Sequence, residues 1–244
     1  FMGAWVLGRG LLRAEHLRAP WRYLVLGGLF AIYFTLMFEG LKTGGAVSMA
    51  AVFTLTPVMT AGFGWLLMRQ ATTARMALAL TVAAAGAVWV IFDAEPAAIA
   101  RFEIGRGEAI FFIGCIAHAI YAPMVPKLRR SEPVAVLSLG TICGALLVLL
   151  IAGGPALLRT DWGAMPGIVW AVILYLAVFA STVTFALIQF AALRLPGAKV
   201  MAYTYLTPVW VIGWEAALGA GLPPAAILPG IGAVVLGLVL LLKD

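Results

Sequence analysis

Charged residues and cysteines are scarce in this sequence. Asp, Glu, Lys and Arg make up only 11% of its 244 residues, whereas 64% are hydrophobic and the mean hydropathy is +1.08. Soluble domains carry about 25% charged residues, so this composition excludes an ordinary water-soluble enzyme or binding module. The two cysteines, Cys115 and Cys143, both lie in apolar stretches, which favours a packing role for each of them.

Sequence patterns for several kinds of chemistry are also missing. We find no Walker pattern for ATP, no spacing typical of metal ligands, no nucleophile–base arrangement and no cleavable secretory signal. The formal net charge of +6 is compatible with nucleic-acid binding, but the positions of the basic residues favour a topological explanation. We therefore predict that the protein is not an enzyme, uses no cofactor or metal and has no nucleic-acid partner.

Long apolar runs dominate the remaining sequence. A helix that crosses a bilayer needs about 20 mostly apolar residues. The runs that meet this need are 21–41, 46–68, 75–92, 107–126, 134–153, 166–191, 199–218 and 224–242. Neither polar helix faces nor strand-like alternation interrupts them. The sequence therefore predicts an all-α polytopic membrane protein, with a further apolar stretch at 1–12 that is too short to span.

Basic residues alternate from side to side across these runs. One predicted side holds the basic residues of 9–22, 69–75, 127–130 and 194–199 together with Lys243, and the other holds only Lys42, Arg101, Arg106 and Arg159. Cytoplasmic loops of membrane proteins are enriched in Lys and Arg, so the richer side is the cytoplasmic one. We therefore predict a multi-pass protein of the cell's inner (plasma) membrane with its C-terminus in the cytoplasm.

The sequence contains an internal duplication. The segment Leu-Thr-Pro-Val occurs at 55–58 and again at 206–209, which is 151 positions later. The same offset relates Gly62 to Gly213 and Gly86 to Gly237, and an offset of 152 relates Gly45 to Gly197. Matches spread over this distance indicate two copies of one unit.

The two copies have different numbers of predicted helices. The first repeat, 1–93, has three and a half, and the second repeat, 107–244, has five; residues 94–106 form an extracytoplasmic connection. Five helices in each repeat would give ten, of which about eight and a half are present, so we expect one and a half helices before Phe1. Units with an odd number of helices insert in opposite orientations. Inverted repeats are a transporter architecture with a substrate site near the midplane, where the halves meet.

Four sequence segments carry a resemblance to a known family. They are YFTLMFEGLKTGGA at 33–46, ILYLAVFASTVTFALIQFAALRLPGA at 173–198, and the two copies of LTPV. Their order and spacing resemble the drug/metabolite transporter superfamily of EamA type, over essentially the whole chain. The aromatic content is most similar to that of amino-acid exporters, especially aromatic amino-acid exporters. One departure is that the Gly-Glu pair usual after each LTPV helix is replaced by Arg69-Gln70 and Ala220-Gly221.

The predicted substrate site consists of polar and aromatic side chains inside the spans, because such residues are costly in lipid and usually face the bundle interior. These residues are Tyr33, Phe53, Thr54, Thr56, Pro57, His118, Tyr121, Gln189, Tyr203, Tyr205, Thr207, Pro208 and Trp210. Each of the two prolines removes a backbone donor and frees a carbonyl one turn earlier, so both are expected bending points beside the cavity. For His118 a buried packing role is an equal alternative. For any one threonine, a hydrogen bond to its own helix is favoured.

Two acids fall near membrane depth by this topology and are the predicted proton-coupling residues. They are Glu39 and Glu215, both toward the extracytoplasmic ends of their helices. The alternative for each is an interfacial position or an ion pair, for example between Glu39 and Lys42. The small-residue runs in 75–92 and 224–242 predict closely packed helices that serve as scaffold or face a dimer partner.

These observations favour a secondary transporter that exports small organic metabolites by alternating access around a central cavity. Aromatic walls without a midplane acid favour aromatic and apolar amino acids as substrates, with cationic drugs as the alternative. A membrane-embedded enzyme with His118 as general base, or a channel, is the alternative of another class. The predicted partners are a small-molecule substrate and the lipid bilayer, and both a monomer and a weak dimer stay open.

Overall fold

The computed structural model describes residues 2–44, 46–92, 94–102, 104–217 and 224–242, apart from the side chains of 46–48, 180, 208, 211, 212, 215 and 242. Every regular element in this part of the chain is helical, which confirms the predicted all-α class. The α-helices are α1 (Met2–Gly8), α2 (Trp21–Leu41), α3 (Ala46–Phe53), α4 (Thr56–Met68), α5 (Ala74–Ile91), α6 (Pro96–Ala100), α7 (Arg106–Leu128), α8 (Val134–Arg159), α9 (Gly167–Tyr175), α10 (Thr184–Ala192), α11 (Gly197–Ala202), α12 (Thr207–Ala217) and α13 (Leu228–Leu242). A π-helix at Leu176–Val183 joins α9 to α10, and short 3-10 helices lie at Ala14–Leu17, Tyr203–Leu206 and Ala225–Ile227.

Six helical segments in the described residues are long and apolar enough to cross a bilayer. They are Trp21–Leu41, Met49–Met68, Ala74–Ile91, Arg106–Leu128, Val134–Arg159 and Gly167–Ala192, and a shorter apolar helix follows at Ala225–Leu241. The structure differs from the prediction at 199–218, which was expected to be one span. This region is divided into α11, a 3-10 turn and α12.

The two LTPV segments both lie at breaks between helices. In the first repeat α3 ends at Phe53 and α4 begins at Thr56, with Pro57 in its first turn. In the second repeat the 3-10 turn Tyr203–Leu206 occupies the corresponding place, and Pro208 follows at the start of α12. A proline fits the first turn of a helix because the donor it lacks would have no partner in that helix. The duplicated prolines therefore start a new helix in each repeat.

The helices α5 and α13 pack against each other in antiparallel orientation and very closely. A Cβ atom added to Gly86 would lie 2.6 Å from the carbonyl oxygen of Gly230, and one added to Gly237 would lie 2.7 Å from the carbonyl oxygen of Ala79. These two contacts are equivalent in the duplicated sequence, because the offset of 151 relates Gly86 to Gly237 and Ala79 to Gly230. The expectation that 75–92 and 224–242 pack closely therefore corresponds to a symmetric contact between equivalent helices.

The chain forms two compact units that combine residues from distant parts of the sequence. The first unit contains residues 1–32 and 124–194, and the second contains 33–123 and 195–244. In the first unit α2 crosses α8 at small residues, where a Cβ on Gly27 would lie 2.2 Å from the backbone nitrogen of Ala145. The second unit contains the α5–α13 contact. The division into repeats at 1–93 and 107–244 describes the sequence and stays a prediction.

Candidate substrate site

Aromatic rings surround His118 in the second unit. The helix α7 presents Phe111, His118 and Tyr121 on one face, since residues 3, 4 and 7 positions apart on a helix lie on the same side. The helix α2 contributes Tyr33, and α3 contributes Phe53 at its last turn. These five residues are called the His118 cluster below.

Ring geometry in the His118 cluster is that of stacked and tilted aromatic pairs. The imidazole of His118 stacks on Tyr33 with ring centroids 4.3 Å apart and an interplanar angle of 26°. Its centroid lies 6.0 Å from that of Phe53 and 6.4 Å from that of Tyr121, and the Tyr121 ring is parallel to it within 6°. The Phe53 and Tyr121 distances lie within the 4.5–7 Å typical of favourable aromatic pairs, each adding ~0.5–1.5 kcal/mol beyond the burial of area, and the Tyr33 ring is slightly closer.

The His118 cluster is closed in this structure. The side chain of His118 is only 4% exposed, and Tyr33, Phe111 and Tyr121 are also buried. A ligand therefore reaches the imidazole only if rings or helices move apart. The predicted proximity of His118 and Tyr121 is present, and the structure adds Tyr33 and Phe53 to the same group.

Thr54, Thr56 and Pro57, the polar and proline residues predicted for the first repeat, are buried at the break between α3 and α4. The hydroxyl of Thr54 donates a 2.7 Å hydrogen bond to the carbonyl oxygen of Ala51 in its own helix, which is the structural alternative weighed for threonines. These residues follow Phe53 directly. The helix break thus lies beside the His118 cluster.

The residues predicted for the second repeat lie elsewhere in the second unit. Tyr205 is fully buried and packs with Met76, Leu80 and Val234 at the α5–α13 contact. Tyr203, Thr207 and Trp210 are exposed, Trp210 to 66%, so they are not part of the closed ring cluster. The side chain of Pro208 lies outside the described residues. Binding roles for this set stay predictions.

Gln189 belongs to the first unit and forms a buried polar network there. Ser138 donates a 2.6 Å hydrogen bond to its side-chain oxygen, and its side-chain nitrogen donates a 3.0 Å bond to the hydroxyl of Thr141. Thr141 in turn donates to the carbonyl oxygen of Leu137. Satisfied networks of this kind fix the packing of helices, here α8 against α10. The binding role predicted for Gln189 is not tested by this arrangement.

The acidic side chains near the membrane-spanning helices fall into an exposed and a buried group. Glu39 is 49% exposed and forms an ion pair with Lys42, which is the alternative considered for it. The side chain of Glu215 lies outside the described residues. Two other acids are buried: Glu108 in the first turn of α7 and Glu132 after it. Sequence reasoning missed both because they stand at the ends of apolar runs, where burial depends on the covering loops.

Glu132 forms a buried ion pair with Arg22 in the first unit. A guanidinium nitrogen of Arg22 donates to the Glu132 carboxylate at 2.7 Å and to the carbonyl oxygen of Leu128, also at 2.7 Å. The second carboxylate oxygen accepts a bond from the backbone N–H of Arg130. This pair holds the start of α2 against the loop between α7 and α8. It has a structural role.

Gln70 takes the position at which the resembled family usually has glutamate. Its side-chain oxygen accepts a 3.2 Å hydrogen bond from the backbone N–H of Gly197, the first residue of α11. The α4 segment of the first repeat thereby caps a helix of the second repeat. Ala220-Gly221, the corresponding pair in the second repeat, lies outside the described residues.

Metal-binding groups do not occur in the part of the chain that the structure describes: no three His, Cys, Asp or Glu side chains there are placed to hold one ion. The site is thus built from rings, hydroxyls and one imidazole. Such a constellation can bind an apolar organic molecule.

Matching helix breaks in two repeats of a polytopic helical protein are a recurring feature of membrane transport proteins. The EamA-like transporter family matches residues 1–92 and 105–243, and the chain belongs to this family. It is 24% identical over 235 residues to an uncharacterized transporter, YyaM, of Bacillus subtilis (strain 168), covering 94% of this chain and 74% of that protein. A crystal structure of another protein, 20% identical, has a TM-score of 0.75 to this fold and covers 98% of this chain and 81% of its own.

These similarities establish a membrane transporter of small molecules with an EamA-type fold. Both the family and the relative are described as transporters, which points away from enzymatic activity.

Proposed function

We propose that this protein is a secondary transporter that exports aromatic and other apolar amino acids by alternating access, with the His118 cluster as its substrate site. The observation that carries the proposal is the stack of Tyr33, His118 and Tyr121 beside the break between α3 and α4. Export, location in the inner membrane and a cytoplasmic C-terminus are parts of the same proposal.

The cluster and the helix break suit different parts of an amino acid. An aromatic or thioether side chain can replace one ring of the stack, since each ring pair contributes ~0.5–1.5 kcal/mol beyond area burial. In the first turn of α4, the N–H groups of Thr56 and Val58 have no carbonyl partner within that helix, while Pro57 has no N–H, and such a terminus favours a carboxylate. Discontinuous helices with this role are a recurring feature of substrate sites in transporters.

The source of energy is proposed to be an ion gradient and not ATP, because the sequence has no Walker pattern. The titratable side chains proposed to carry protons are Glu39, Glu215 and His118. Proton-coupled flux that persists unchanged when all three are replaced by glutamine would remove them from the coupling path.

The test is competitive transport by the purified protein in proteoliposomes. We expect labelled phenylalanine, tryptophan and methionine to be carried and to compete with one another. Replacing Tyr33 by Leu should raise the half-saturation concentration for phenylalanine about 2- to 10-fold through loss of one ring pair. Phe38→Leu is the matched control, because Phe38 lies on the same helix but is 53% exposed.

One pattern of results would overturn the proposed substrate class. If a quaternary ammonium dye is carried while the amino acids neither move nor compete, the protein transports organic cations. Flux that rises linearly with concentration without saturation would indicate a channel.

A further inference from the structure

The hydroxyl of Thr56 is a buried polar group that has no hydrogen-bond partner among the described residues. Thr56 is the first residue of α4, and its side chain is 0% exposed. Buried hydroxyls are normally hydrogen-bonded, because a group that leaves water without gaining a partner costs free energy. The Thr56 hydroxyl is therefore available to a molecule that enters its surroundings.

Two threonines close to Thr56 in sequence do not share this property. The hydroxyl of Thr54 donates to the carbonyl oxygen of Ala51 at 2.7 Å, and the hydroxyl of Thr60 donates to the carbonyl oxygen of Thr56 at 2.8 Å. Threonines in helices commonly form such bonds to their own backbone. Of these three hydroxyls, only that of Thr56 can donate to a bound molecule without breaking a hydrogen bond inside the protein.

The Thr56 hydroxyl lies at the His118 cluster. It is close to the thiol of Cys115 on α7, although the two groups do not have hydrogen-bond geometry. A thiol is in any case a weak donor and a weak acceptor. Cys115 is fully buried with Tyr33 and Phe111, and it stands three residues before His118 on the same side of α7. The hydroxyl and the ring stack thus border the same closed site.

We propose that Thr56 determines the specificity of this site by donating a hydrogen bond from its hydroxyl to the carboxylate of the substrate. This inference rests on the proposed function, because it takes an amino acid as the molecule that enters the His118 cluster. The N-terminus of α4 carries partial positive charge, which favours a carboxylate beside Thr56 over an ammonium group. A hydrogen bond to an ionised acceptor is also about twice as strong as one between neutral groups. The rings bind the side chain of the substrate, and Thr56 distinguishes an amino acid from the amine that has the same side chain.

The test compares phenylalanine with 2-phenylethylamine, which has the same ring and ammonium group but no carboxylate. Binding of both probes is measured by calorimetry on the purified full chain in detergent. Thr56→Val keeps the shape of the side chain and removes the hydroxyl. It should weaken the binding of phenylalanine about tenfold or more and change that of 2-phenylethylamine by less than about twofold.

Three further variants control this comparison. Thr60→Val is the matched control, because Thr60 is also buried in α4 and its hydroxyl already has a partner, so the ratio of the two affinities should not change. Thr56→Ser restores a hydroxyl and should restore the native ratio. Thr56→Ala removes the hydroxyl with a smaller side chain and replaces the valine variant if that variant does not fold. Equal losses for both probes, no loss for either, or no recovery with serine would overturn the assignment.

Failure of this inference can be told apart from failure of the proposed function. If the native chain neither binds nor transports phenylalanine, the proposed substrate class is wrong and the assignment of Thr56 is refuted with it. If the native chain transports phenylalanine but Thr56→Val affects both probes equally, the substrate class stands and only the role of Thr56 is refuted. A loss for phenylalanine alone that serine reverses supports both.

Discussion

The close contact between α5 and α13 predicts opposite effects for two glycines of one helix. Gly237 and Gly232 both lie inside α13. A Cβ on Gly237 would lie 2.7 Å from both the carbonyl oxygen of Ala79 and the Cβ of Ala83, whereas a Cβ on Gly232 meets nothing within 4 Å. Gly237→Ala should therefore destabilise the protein, and Gly232→Ala should not.

The expected change in the free energy of unfolding is the sum of two opposing contributions. Replacing glycine by alanine inside a helix stabilises it by roughly 0.5–1 kcal/mol, and this term is the same at both positions. At Gly237 the helices must also separate by several tenths of an ångström, because carbon atoms do not approach an oxygen to 2.7 Å. Overpacking of this kind costs ~1–3 kcal/mol. The two variants should thus differ by ~1–3 kcal/mol, with Gly232→Ala the more stable.

Thermal unfolding of the purified protein in detergent measures this difference. For a chain of this size ~1–3 kcal/mol corresponds to unfolding midpoints about 2–12 °C apart. The symmetry of the contact allows a second comparison. Gly86→Ala should lower the unfolding midpoint about as much as Gly237→Ala, because its Cβ would lie 2.6 Å from the carbonyl oxygen of Gly230. A Gly237→Ala variant that is as stable as Gly232→Ala would refute the close packing of α5 on α13.

Two further predictions concern buried polar contacts. Arg22→Ala leaves Glu132 as a buried charge without its partner and should lower the free energy of unfolding by ~3–5 kcal/mol. Lys42→Ala breaks an exposed pair and should lower it by ~1 kcal/mol or less. Equal losses of stability in chemical denaturation would show that the Arg22 pair is solvated. Gln70→Ala removes the hydrogen bond that caps α11 and should lower the free energy of unfolding by ~0.5–2 kcal/mol. Gln70→Glu keeps an acceptor for the backbone N–H of Gly197 and should retain stability. A glutamate variant that is less stable than the alanine variant would argue against capping.

Sequence reasoning predicted the features that the bilayer imposes locally. A span must be long and apolar, so helices such as α2 and α8 are visible from composition alone. Helical periodicity also predicted that His118 and Tyr121 share a face of α7. The prolines of the LTPV segments marked the positions at which helices start again.

Features that depend on packing between distant segments were not predictable in the same way. Hydropathy placed Glu39 near membrane depth and did not single out Glu108. The Glu108 side chain is buried beside the loop glycines Gly44 and Gly105. Tyr203 and Tyr205 both looked like cavity residues. The 3-10 turn separates residues two positions apart by about two thirds of a turn, so only Tyr205 is buried.

The symmetric contact of α5 with α13 has the geometry of an isologous dimer interface enclosed within one chain. In a homodimer each interface residue occurs twice, so one substitution changes two contacts at once. Joining the halves in a single chain removes this restriction. The contact already differs between its two copies, since Gly86 meets Gly230 while Gly237 meets Ala79. Each half of this interface can therefore change independently, and one side can loosen while the other stays tightly packed.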